Sequence, residues 1–79
     1  MYDHAIVYTK PNCPHCVTAI KALEKANISY DKLVLDEDFS REELLEMIPT
    51  AKTFPQIYLY NNDVKVYIGG STELLKELS

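Results

Sequence analysis

Apolar positions along the chain switch between strand-like and helix-like spacing, and the switches mark out its elements. His4 to Thr9 contains Ala5-Ile6-Val7-Tyr8, a nearly continuous apolar run suited to a strand covered on both faces. After Lys10-Pro11-Asn12-Cys13-Pro14 the spacing turns helical. Cys16, Ile20, Leu23 and Ala26 or Asn27 follow i, i+3 and i+4 steps, with Val17 and Ala19 widening the stripe. Pro14 suits the first helical turn, where its missing N–H costs nothing, and Asn27 suits the left-handed residue past the end. Tyr30 to Leu35 predicts a second strand with Leu33 and Leu35 on one face.

Ser40-Arg41-Glu42-Glu43 has the form of a capping box, and Phe39 and Leu44 are spaced to staple it. Pro49 ends that helix at about Ile48. Gln56 to Tyr60 and Val64 to Ile68 alternate, and Asn61-Asn62-Asp63 between them predicts an antiparallel hairpin. Gly69-Gly70 interrupts the pattern, and Gly70 or Ser71 can cap a last short helix carrying Leu74, Leu75 and Leu78. The order is β-α-β-α-β-β-α. Its first half requires a parallel pair with a right-handed crossover and its second an antiparallel hairpin. A mixed four-stranded sheet with helices on both faces satisfies every stripe. This is an α/β arrangement, the thioredoxin fold in its smallest form.

With 79 residues, the chain is expected to be one domain over 1–79, with a small core and modest stability. Its 12 acidic and 8 basic residues give a net charge of −4, which disfavours nucleic acid and anionic membranes as partners. No apolar run approaches the roughly 18–20 residues of a membrane span. Met1-Tyr2-Asp3-His4 lacks the basic and apolar regions of an export signal, so a cytoplasmic protein is expected.

The two cysteines lie three residues apart in Cys13-Pro14-His15-Cys16. One short loop in a reducing compartment points to chemistry rather than to a structural disulfide. In the first turn of a helix, residues at this spacing share a side and come within disulfide range. Unpaired N–H groups and the positive end of the helix dipole favour a thiolate on Cys13, which can then attack a disulfide. Cys16, one turn further in, can resolve the product. A protonated His15, or its N–H dipole, adds to the field on Cys13, stabilises the reduced form and makes the pair more oxidising. No metal is expected: zinc takes about four ligands, and only His4 and His15 remain beside the thiols.

These residues resemble the glutaredoxin family over essentially the whole chain, with three landmarks. Tyr8-Thr9-Lys10-Pro11-Asn12-Cys13-Pro14-His15-Cys16 is similar to the family's strand, basic residue and C-P-Y-C motif. Thr53-Phe54-Pro55 is similar to its T-V-P with a cis proline facing the cysteines. Gly69-Gly70-Ser71-Thr72-Glu73-Leu74 is similar to its G-G-x-x-[DE]-L turn. The resemblance implies a thiol–disulfide oxidoreductase with catalytic Cys13 and Cys16, tuned by Pro14 and His15. The resemblance further implies glutathione as co-substrate and no bound cofactor.

The implied glutathione and substrate contacts are Lys10 for the glycyl carboxylate and the Thr53, Phe54 and Pro55 backbone for a short β-bridge. Gly70, Ser71 and Thr72 would meet the γ-glutamyl carboxylate, and Glu73 its ammonium. The implied partners are glutathione and disulfide-containing proteins, with ribonucleotide reductase among the targets and a monomer as the working form. His15 for tyrosine and Phe54 for valine depart from the family pattern. The nearest alternative is a similar redoxin recharged by thioredoxin reductase, against which the Gly69 to Glu73 stretch favours glutathione. A further alternative, an iron–sulfur cluster carrier, is disfavoured by Pro14, which stiffens the turn.

Overall fold

The computed structural model describes residues 2–79. The elements run β1 (His4–Thr9), α1 (Pro14–Lys25), β2 (Ser29–Val34), α2 (Arg41–Met47), β3 (Gln56–Asn61), β4 (Val64–Gly69) and α3 (Ser71–Leu78). The sheet order is β2-β1-β3-β4, with β1 parallel to β2 and antiparallel to β3, and β3 antiparallel to β4. The strand with the most continuous apolar run, β1, therefore lies inside the sheet. The more polar β2 and β4 form its edges.

Alternation divides the sheet into two buried faces. Ala5 and Val7 of β1, with Ile57 and Leu59 of β3, pack against Ala19 and Leu23 of α1 and Leu74 of α3. On the opposite face Tyr8 meets Phe39, Leu44, Ile48 and Phe54 under α2, and both cysteines join this second cluster. The cysteines thus sit at the end of β1, where the two cores meet.

Local signals explain most boundaries. Asn27 takes φ 59° just past the Ala26 cap of α1, as expected of a residue that tolerates the left-handed region. The capping box on α2 is complete: Glu43 N donates to Ser40 Oγ at 3.1 Å, and Ser40 N donates to Glu43 Oε1 at 2.9 Å. Phe39 and Leu44, the two staple positions, are buried in one cluster. The hairpin turn narrows to Asn62-Asp63, with Asn62 at φ 58° and Asn61 paired to Val64.

Three expectations change. The second strand runs Ser29–Val34: Leu35 N donates the last bond to β1, to the Thr9 carbonyl at 2.9 Å, and Leu35 then bridges Phe39 as the chain turns through Asp36 at φ 69°. Val17, counted in the apolar stripe of α1, is exposed, because that helix packs on β1, β2 and α3 through Cys16, Ala19 and Leu23 and leaves Val17 uncovered. Leu75 of α3 is also exposed, while Leu74 takes the fully buried place. Among the described residues, no helix is long and apolar enough to cross a membrane.

Candidate active site

Cys13 is the N-cap of α1, with φ −116° and ψ 98°. The extended backbone aims its side chain back over the first turn, where Cys16 N donates to Cys13 Sγ at 3.2 Å. Val17 N donates to the Cys13 carbonyl at 3.2 Å, which fixes the turn on which Cys16 is carried. The two Cα atoms are 5.3 Å apart and the sulfurs are joined as a disulfide. Both cysteines are largely buried, whereas Pro14, at the first helical position, and His15 are exposed. When the pair is reduced, an anionic Cys13 sulfur would therefore meet an N–H donor and the positive end of α1 with little competing water.

The Phe54–Pro55 peptide bond is cis. Phe54 belongs to the same buried cluster as Cys13 and Cys16, which brings the second landmark to the first. The Thr53 carbonyl accepts from Gln56 Nε2 at 2.7 Å, and Gln56 Oε1 in turn accepts from the Tyr67 hydroxyl. The backbone before Pro55 is thus tied from β3 and β4. Gly70 lies beside it: a Cβ there would stand 3.6 Å from the Pro55 carbonyl oxygen and 3.2 Å from Glu73 Oε1. The third landmark is thereby packed against the second.

Gly70 caps α3 without a side chain, so Ser71 and Thr72 open the helix with N–H groups that no capping side chain takes. Ser71 is buried and Thr72 exposed. Glu73 Oε1 accepts from Gly70 N at 2.8 Å, which makes Glu73 part of the local turn. Lys10 extends over the Phe54 ring, with Nζ 5.9 Å from its centroid. Sequence reasoning overlooked Arg41, whose Cζ also stands 5.9 Å from that centroid. The sequence signal at Arg41 was absorbed by the capping box, and nothing linear ties the start of α2 to Phe54. Two cations therefore flank one ring beside the cysteines, in a chain of net charge −4.

Behind the site, Tyr8 packs edge-on to Phe39 and Tyr58, and its hydroxyl reaches Met47 Sδ at 3.5 Å. Burial raises the Tyr8, Tyr58 and Tyr67 hydroxyls above the ordinary 10.0, with neighbouring tyrosines adding to the rise. These groups support the site from behind as neutral phenols at neutral pH. Among the described residues, no group of three or more His, Cys, Asp or Glu side chains could hold a metal ion.

The family profile of glutaredoxin matches residues 5–64. "Glutaredoxin 1" of Rickettsia conorii is 33% identical over 72 residues, which span 87% of this chain and 66% of that protein. The chain thus matches just under two-thirds of that relative's length. "Glutaredoxin 1" of Rickettsia bellii is 33% identical over 76 residues, 90% of this chain and 74% of the relative. The crystal structure of glutaredoxin 1 from Francisella tularensis, complexed with cacodylate, superposes with a TM-score of 0.74 at 30% identity. That superposition covers 94% of this chain and 90% of that one. The reduced Escherichia coli glutaredoxin has the same fold, with a TM-score of 0.72 at 23% identity over 95% of this chain and 92% of that one.

Proposed function

The chain belongs to the glutaredoxin family, and we propose that it is a glutathione-dependent thiol–disulfide oxidoreductase acting through Cys13 and Cys16. The observation that carries the reading is the cysteine pair at the N-terminus of α1, sharing a cluster with Phe54 next to the cis Pro55.

In the first step the Cys13 thiolate attacks one sulfur of a substrate disulfide. The substrate S–S bond breaks, a Cys13 mixed disulfide forms, and the departing thiolate takes a proton from solvent. With a protein disulfide, the Cys16 sulfur then attacks Cys13 Sγ and loses its proton. The second substrate thiol is released and the Cys13–Cys16 disulfide closes. The substrate has gained two electrons and two protons. Two glutathione molecules return them in two further exchanges and leave as oxidised glutathione. With a glutathione mixed disulfide, glutathione itself remains on Cys13, and a second glutathione removes it.

Glutathione carries a carboxylate at each end and one ammonium. Lys10, joined by Arg41, supports a reading in which cations meet the glycyl carboxylate beside Phe54. The Thr53 and Phe54 backbone supplies the β-bridge, and the N–H groups of Ser71 and Thr72 take the γ-glutamyl carboxylate. Glu73 serves the ammonium with the carboxylate oxygen that Gly70 does not occupy. We assign the reaction to a monomer in the reducing cytoplasm, where glutathione is available. Ribonucleotide reductase is a protein acceptor in keeping with the family.

Turnover of a glutathione mixed disulfide is the deciding measurement, with glutathione plus its reductase in one arm and thioredoxin reductase in the other. The expected result is turnover in the glutathione arm alone. Turnover only with thioredoxin reductase would keep the cysteine chemistry and overturn the glutathione assignment.

A further inference from the structure

Cys13 and Cys16 also line a groove that begins at Lys10, the residue extended over the Phe54 ring, and continues beyond it along α1. This groove of about 640 Å³ runs between α1 and β2 and is lined by Cys13, Cys16, Val17, Ile20, Lys32 and Val34, among others. It follows from the way the sheet is covered. Tyr30, Lys32 and Val34 alternate onto the α1 face of β2, and Tyr30 packs under the helix near Leu23. Towards the end of β2 the helix no longer covers the edge, and Val34 is only half-buried. Val17 is 51% exposed, although it directly follows the buried Cys16. Apolar surface is thus left open within one turn of the reactive pair.

The groove has its own charge pattern. Lys10 stands at the cysteine end and Lys32 on the strand wall, with Glu37 the one acidic lining residue. A net positive groove on a chain of net charge −4 selects for acidic partners. Glutathione has no apolar side chain to cover Val17, Ile20 and Val34. A polypeptide carrying a cysteine beside an aliphatic residue and a carboxylate has both features.

We propose that the groove between α1 and β2 docks the polypeptide of a protein disulfide substrate while its cysteine is bonded to Cys13. An aliphatic neighbour of that cysteine packs on Val17, Ile20 and Val34, and a nearby carboxylate meets Lys32. The inference rests on the oxidoreductase reading and adds to it a docking surface for the protein disulfides that reading already includes. Lys10 and Cys13 are common to both bound states, whereas Val17, Ile20, Lys32 and Val34 belong to the groove alone. Electron flow is unchanged: the docked disulfide gains two electrons from the cysteine pair, and added thiol reductant restores them.

The test uses the full chain with dithiothreitol as reductant, so the peptide arm does not depend on glutathione. The probes are the symmetric disulfides of acetyl-Glu-Leu-Cys-Leu-Glu-amide and acetyl-Ser-Gly-Cys-Gly-Ser-amide, and separately the mixed disulfide of glutathione with cysteamine. The parent is expected to favour the acidic, leucine-containing peptide. Val17→Glu, at an exposed position, is expected to lower kcat/KM for that peptide about tenfold, the loss of an apolar contact and a new like charge. Lys32→Glu is expected to lower it about threefold, an effect that added salt diminishes. Lys32→Glu should not change the mixed-disulfide rate by more than about twofold, within what a screened surface charge contributes, and Val17→Glu should lower that rate by clearly less than it lowers the peptide rate.

Equal rates for the two peptides in the parent, or in the variants relative to the parent, would overturn the proposal. So would a parallel loss on the glutathione mixed disulfide, which would assign Val17 to the shared chemistry. A concentration-dependent dimer abolished by Val17→Glu would give the groove to a second copy instead. Failure of the parent on the glutathione probe, with the peptide preference intact, would overturn the glutathione reading and leave this one standing.

Discussion

Cys13 meets two requirements of a nucleophile that are set within four residues of chain. As N-cap it lies at the positive end of α1 and receives the Cys16 N–H, while Pro14 starts the helix without an unsatisfied donor. His15 is exposed between the cysteines, where its N–H dipole or charge can add to that field. His15→Tyr removes this contribution. The expected outcome is a thiolate titration that moves upward in ultraviolet absorbance. The reduction potential falls by about 20 mV, the two-electron equivalent of about 1 kcal/mol from one screened neighbouring charge. Matching titrations and redox equilibria for the two proteins would remove His15 from the tuning. The residue types and spacing of this turn were legible in the sequence because its hydrogen bonds span four positions or fewer. Arg41 was not, because its approach to Phe54 joins residues that only folding brings together.

The helix α2 is short and presents a single buried residue, Leu44, to the sheet. A helix of this length has little stability of its own and depends on its ends and its packing. Its reciprocal cap at Ser40 and Glu43 should therefore matter. Ser40→Ala is expected to cost about 1 kcal/mol, read as a lower denaturation midpoint with unchanged slope. Thiol–disulfide exchange at the cysteines should persist in this variant, since Cys13 and Cys16 are held by α1 and not by α2. A midpoint equal to the parent's would mean that packing alone holds α2. The box was readable from four letters. The end of β2 was not: alternation continued through Leu35, but after that residue's last bond to Thr9 the turn at Asp36 brings the chain back to Phe39 and stops the ladder.

For the molecule as a whole, alkaline pH tests the packing behind the site. Tyr8, Tyr58 and Tyr67 have hydroxyls raised chiefly by burial, so the folded state holds their protons more tightly than the unfolded chain does. Their contribution to stability is complete below the unfolded value of 10.0 and is lost as pH rises through it towards the raised folded values. Melting temperatures should fall over that window, and Tyr8→Phe should make the fall shallower. An unchanged fall in Tyr8→Phe would take Tyr8 out of the alkaline transition. The sequence by itself determined the element order, the parallel pair, the hairpin and the reactive turn, because periodicity, capping and turn chemistry act over short stretches of chain. The tertiary structure alone decided that β3 lies against β1, that Lys10 and Arg41 share the Phe54 ring, and that Val17 is left uncovered beside Cys16. Each of these depends on how a helix seats across strands distant in sequence, and a hydrophobic stripe specifies that a face is buried without specifying which part of the sheet covers it.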